Sequence, residues 1–132
     1  MIQLHIELPH MFVWKAHAGF GRRSFNPMQK ERDYVQYQLR KQYRGDLLTC
    51  PIRVSYDFYF VPPKSLSKKK RQEMLEGKVK HITRPDCTNI LKFQEDCLKG
   101  IVIKDDSIVF RTEVEKHYSE SFRAIIKIYP LE

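Results

Sequence analysis

The chain has 132 residues, 42% of them hydrophobic and 30% charged, with a formal net charge of +8. That length supports one core and one domain, and apolar runs far short of the ~20 residues of a membrane helix exclude a spanning segment. The start, MIQLHIELPH, alternates apolar and polar residues and lacks the basic opening and continuous apolar core of a secretion signal, so the expectation is a cytoplasmic protein with no membrane partner.

Three cysteines (Cys50, Cys87, Cys97) cannot all pair with one another and form no CxxC, so they read as reduced structural thiols. The five histidines (His5, His10, His17, His81, His117) show neither HxH nor HExxH spacing, which argues against a histidine metal site. Charge is spread unevenly. Residues 15–44 hold eight basic against two acidic side chains, residues 64–84 hold the same, and residues 86–132 hold nine acids against seven bases. Clustered positive charge suits a phosphate backbone, which releases counterions on binding, whereas a merely soluble surface intersperses the signs.

Ile2, Leu4, Ile6 and Leu8 alternate with polar residues as a half-buried strand ending at Pro9. Residues 10–26 read as a long connection in which Trp14, Lys15, Phe20, Arg22, Arg23 and Phe25 interleave basic and aromatic groups, equipment for phosphates and exposed bases or simply a surface loop folded on the core. Asn26 as N-cap, Pro27 at the first position and Gln29 predict a helix over Pro27–Tyr43, stopped by Gly45, with Met28, Val35, Leu39 and Tyr43 on its apolar stripe. IRVSYDFYFV, Ile52–Val61, is the clearest strand and predicts the centre of the sheet; Pro62 and Pro63 end it. Ser65 or Ser67 caps a short helix over 68–76 with Gly77 after it, and Lys68, Lys69, Lys70 and Arg71 crowd its first turn against the helix dipole, which DNA contact or a solvated face explains. Ser107–Tyr118 and Phe122–Tyr129 alternate as two further strands joined at Ser119–Ser121. The order β-α-β-α-α-β-β makes a single α+β domain with a mixed sheet of about four strands covered by helices.

The stretch between Arg84 and Asp106 gathers five acids (Asp86, Glu95, Asp96, Asp105, Asp106), the amide of Asn89 and the ammonium of Lys92 around one predicted helix. Thr88 or Asp86 caps a helix to about Leu98, closed by Gly100; at about 100° per residue Ile90, Leu91, Cys97 and Leu98 face the core, with Gln94 intruding among them. Asn89, Lys92 and Asp96 stack on the opposite side, with Asp86 before the helix and Asp105 and Asp106 before the next strand. Gathered carboxylates repel one another, and a hard cation such as Mg²⁺ relieves that repulsion. Carboxylate-bound Mg²⁺ beside a basic surface equips a protein for phosphodiester hydrolysis, with Lys92 placed to stabilise phosphate charge. Spacing alone also allows a helix cap, an i,i+4 pair and a turn.

The segments RPDCTNILK, EDCLKG and DDSIV, with SLSKKKRQEMLEGK before them and FNPMQKERDY earlier, resemble the RusA family of Holliday junction resolvases. That family's core runs K/R-P-D-x-D-N-x-x-K, then D-x-L-x-G, then D-D-x-x-I/V, and the resemblance covers about Ser65 to Val109. It implies a homodimer that nicks four-way DNA junctions symmetrically, as the two equivalent strands invite. It implies Mg²⁺, with Mn²⁺ as a substitute, at Asp86, Asp96, Asp105 and Asp106, with Asp86, Lys92 and Asp106 catalytic and Asn89 and Glu95 supporting them. DNA contacts fall to Lys15, Arg22, Arg23, Lys68, Lys69, Lys70, Arg71 and Arg84. Thr88 stands where the family has a second aspartate, and a neutral hydroxyl is a weaker ligand. The alternatives are a junction- or nucleic-acid-binding protein with a weakened site, and an unrelated basic RNA- or protein-binding domain whose acids are only caps and turns.

Overall fold

A computed structural model describes residues 1–14, 18–20, 23–25 and 28–131, with 18–20 and 23–25 described by backbone alone. In chain order the elements are β1 (Ile2–Glu7), β2 (Ala18–Phe20), β3 (Arg23–Phe25), α1 (Gln29–Gln42), β4 (Ile52–Phe60), α2 (Lys68–Leu75), α3 (Cys87–Leu98), β5 (Val109–Tyr118) and β6 (Arg123–Pro130), with a 3-10 turn at Asp106–Ile108. The α+β class and the order of the main elements match the sequence reading. The small β2–β3 hairpin is an addition within the long connection. No helix among the described residues is long and apolar enough to cross a membrane.

Alternation makes β4 the centre. Ile52, Val54, Tyr56, Phe58 and Phe60 are buried, while Arg53, Ser55, Asp57 and Tyr59 are partly exposed on the other face. The sheet runs β1-β6-β4-β5, with β4 antiparallel to β6 and parallel to β5. A parallel neighbour cannot be reached by a tight turn, so the chain from β4 to β5 is a crossover over residues 61–108, and it carries both α2 and α3. The consecutive strands β5 and β6 therefore lie on opposite sides of β4. A register shift where Ile52 meets Val109 and Arg53 meets Arg111 leaves Phe110 unpaired and exposed, where simple alternation puts it on the apolar face.

α1 packs on β1 and α3, and α3 packs on β5. Val35 and Leu39 of α1 and Ile90, Phe93, Cys97 and Leu98 of α3 join the inner residues of β1, β4 and β6 in one core. Each such large aliphatic side chain contributes about 1.5–3 kcal/mol on leaving water. α1 begins at Gln29, with Met28 in the N-cap position, two residues later than the sequence spacing suggests; Asn26 and Pro27 lie outside the described residues. Gln38 and Gln42 reach from α1 to the outer edge of β1. Gln38 Oε1 accepts from the Glu7 N–H at 2.8 Å while its Nε2 donates to the Glu7 carbonyl at 2.9 Å, and Gln42 does the same to His5 at 2.8 and 2.6 Å.

α2 buries no residue. It is held by its ends: Ser67 Oγ accepts from the Lys70 N–H at 3.2 Å, and Gly77 takes φ +81°, a conformation that side chains with a Cβ rarely adopt.

Candidate active site

Asp86 is the N-cap residue of α3, with extended backbone, yet its carboxylate makes no hydrogen bond to the helix N–H groups. An N-cap aspartate ordinarily uses its oxygens there; this one is exposed. The segment that delivers it is braced from beneath. Lys116, on the inner side of β5, donates from Nζ to the carbonyls of Thr83 at 2.9 Å and Pro85 at 3.1 Å, across the cis Arg84–Pro85 peptide. The His81 ring stacks on Phe60 with centroids 3.8 Å apart. Burial first, and the Lys116 ammonium second, push the His81 imidazole below its ordinary 6.5, so it is neutral at pH 7.

Thr88 is exposed in the first turn of α3. The Asn89 carbonyl accepts from the Trp14 N–H at 3.1 Å, and the Lys92 ammonium sits 3.5 Å from the centre of the Trp14 ring. That cation–π contact fixes where the ammonium points. Trp14, which the sequence offers only as one of several loop aromatics, is thus the partner of Lys92.

A second group of acids gathers at the far end of α3. Lys99 Nζ lies 3.6 Å from Asp96 Oδ1 and 3.8 Å from Asp106 Oδ2. Glu95 belongs to the same group: its carboxyl is raised above the ordinary carboxylate range by burial, then by the charges of Asp106 and Asp96. Hydrogen bonding to Ser107 first and Asp106 second holds the Asp105 carboxyl below that range. Three carboxylates around one lysine remain an acid-rich environment, and oxygen-only donors of this kind fit a hard divalent cation.

The two groups do not meet within one chain. At about 1.5 Å of rise per residue, Asp86 and Asp96 stand about 15 Å apart along α3, too far for two short carboxylates to share one ion with bonds of about 2.1 Å. The strand gives the same answer. Lys116, which holds the Pro85 carbonyl, lies about 23 Å along β5 from Val109, just beyond the Asp106 turn.

Lys68, Lys69 and Lys70 are exposed on α2 and form no ion pair among the described residues, Arg71 is partly buried, and Arg84 is exposed two residues before Asp86. The basic segment 64–84 therefore leads directly to the Asp86 end of α3. Lys15 and Arg22 lie outside the described residues, and of Arg23 only the backbone, in β3, is described.

Two core-facing residues of α3 separate chemistry from packing. Cys97 is fully buried, and burial pushes its thiol up to about 12, which keeps it protonated and structural. Gln94 is fully buried as well, and neither of its amide atoms has a hydrogen-bond partner in the protein.

A family model described as endodeoxyribonuclease RusA matches residues 17–129. The uncharacterized protein YqaN of Bacillus subtilis (strain 168) is 34% identical over 104 residues, covering 75% of this chain and 73% of that protein.

Proposed function

The chain belongs to the RusA endodeoxyribonuclease family, and from that premise we propose that it is a divalent-metal-dependent nuclease that cleaves four-way DNA junctions by paired nicks, working as a homodimer. The observation that carries this reading is the uncapped, braced Asp86 at the end of a basic segment, with Lys92 pinned over Trp14 further along the same helix.

Bound at Asp86 together with Asp105 and Asp106, Mg²⁺ would lower the pKa of a water and steady the departing oxygen. Asp86 contributes a carboxylate free of any helix-capping duty, and Lys92 presents its ammonium to the phosphate. Lys68, Lys69, Lys70 and Arg84 draw the DNA backbone toward that end of α3 and hold it there. Asp96 and Glu95 set the charge around Asp106, and Lys99 tempers their repulsion.

Asp86 is remote from Asp106 in its own chain. We therefore place the complete site across a dimer, with Asp86 of one copy meeting Asp105 and Asp106 of the other. Two-fold pairing then yields two equivalent sites, which suits a substrate with two equivalent strands.

The primary test is cleavage of four-way, flap and linear DNA with Mg²⁺. The expectation is nicking of the four-way substrate, abolished by Asp86→Asn with junction binding retained; an Asp86→Asn protein that cleaves normally refutes the assignment. A second reading, a junction-binding protein with a weakened site, is favoured by the exposed Thr88 in the first turn of α3. In that case the unaltered chain binds junctions with little cleavage, and Thr88→Asp sharply raises activity.

A further inference from the structure

The face of the sheet turned away from α1 and α3 carries a second cluster. Along a strand, residues two apart share a face, so Glu115 and His117 of β5 both lie on the outer side, beside Asp57 of β4, which is paired with Glu115. His117 Nε2 is 2.7 Å from Asp57 Oδ1 and 3.1 Å from Glu115 Oε2, and the three ligand atoms lie within 4.8 Å of one another. Among the described residues this is the only set of three or more His, Cys, Asp or Glu side chains so gathered.

We infer that Asp57, Glu115 and His117 form a binding site for a first-row transition-metal dication of the Zn²⁺ or Co²⁺ type, separate from the acids of α3. Charge balance gives the first reason. Glu113, next on the same face, is matched by Arg53 at 3.3 Å and Arg111 at 3.1 Å. Asp57 and Glu115 have only the imidazole between them. The imidazole turns a single nitrogen, Nε2, toward both anions, whereas a dication neutralises both and accepts the nitrogen lone pair.

Geometry gives the second reason. A tetrahedral ion with bonds of about 2.0–2.1 Å sets its donor atoms ~3.3 Å apart, so the two spacings from His117 need only a slight opening, and the carboxylate oxygens already lie within 4.8 Å of each other. The imidazole is already aimed, because Tyr59 stacks on it at 4.8 Å and 22° and Arg123 lies over the Tyr59 ring at 4.3 Å. A pocket of about 220 Å³ lined by Ser55, Asp57, Glu113 and Glu115 leaves room for water at the remaining coordination position. Imidazole with carboxylates favours borderline metals over Mg²⁺. An ion here ties the edge strand β5 to β4 on the opposite face from Lys116.

The test is titration of the full chain with Co²⁺ and Zn²⁺ without DNA, followed by calorimetry and absorption spectroscopy. With excess Mg²⁺ present to occupy the carboxylates of the proposed nuclease site, one equivalent of Co²⁺ per chain should bind with visible bands of nitrogen and oxygen coordination and no sulfur charge-transfer band. Glu115→Gln and His117→Gln should each weaken binding at least about ten-fold. The Glu115 side chain is 64% exposed, so that variant keeps its fold, which circular dichroism verifies. Unchanged binding in the folded Glu115→Gln and His117→Gln proteins, or a spectrum dominated by cysteine sulfur, overturns the inference.

Discussion

Mixing two crippled chains tests whether the nuclease site is shared between copies. Asp86→Asn and Asp106→Asn each remove one carboxylate, from groups that α3 holds about 15 Å apart. If each site takes Asp86 from one copy and Asp106 from the other, both variant homodimers lack a ligand at both sites and should lose about a hundred-fold or more in nicking rate. A heterodimer of the two has one site with both aspartates and one with neither. Random pairing at equal concentration makes about half the dimers heterodimers, so the mixture should recover about a quarter of the wild-type sites. Single-turnover nicking of a labelled four-way junction with Mg²⁺ reads this directly, and the recovered activity should give single rather than paired nicks. If differently tagged chains are shown to have exchanged and the mixture is no faster than its parents, the shared-site reasoning is refuted.

Other outcomes follow from the packing. Gln94→Leu removes two buried amide atoms that lack partners and should stabilise the fold by about 1–3 kcal/mol in denaturant titration; a lowered midpoint would show that the amide is satisfied in solution. Lys116→Met deletes both bonds to the Thr83 and Pro85 carbonyls and should cost about 1–3 kcal/mol while slowing junction cleavage, and an unchanged protein would mean the Asp86 loop is self-supporting. His81 is held below its ordinary 6.5 in the folded chain, so the unfolded chain takes up the proton first. Its contribution is therefore complete above about pH 6.5 and lost as pH falls from there toward the folded value. His81→Phe, which can keep the stack on Phe60, should flatten that part of the stability profile, and an unaltered profile would exclude His81 as its source.

Local pattern made much of the fold legible. IRVSYDFYFV announced β4 because every second residue had to be buried, and the arc of Ile90, Cys97 and Leu98 announced which side of α3 faces the sheet. Gly77 and Gly100, read as helix terminators, both take positive φ. What escaped was set by distant partners. The insertion of β4 between β5 and β6 leaves no mark in either strand's own sequence, and a bulge turned Phe110 outward against the alternation. At the site, spacing placed Asp96 on the face with Asn89 and Lys92, but only the structure joined it to Asp106 through Lys99 and Lys92 to Trp14. The Asp57–His117 contact was out of reach because a search for paired histidines passes over one histidine flanked by acids on two strands.

The two glutamines on α1 bear on how this chain behaves when crowded. A sheet edge is a template for further strands, and open edges are where folded proteins begin to polymerise. Gln38 and Gln42 occupy the N–H and C=O groups of Glu7 and His5 that a foreign strand would seek. Their four-residue spacing, about 6 Å of helix rise, nearly equals two residues of strand, so side-chain amides stand in for a neighbouring backbone. The other edge, β5, is studded with Arg111, Glu113 and Glu115, charges that resist stacking against an identical strand. Both edges of the sheet are thus closed to strands of other copies, and crowding the chain should not feed ordered aggregates.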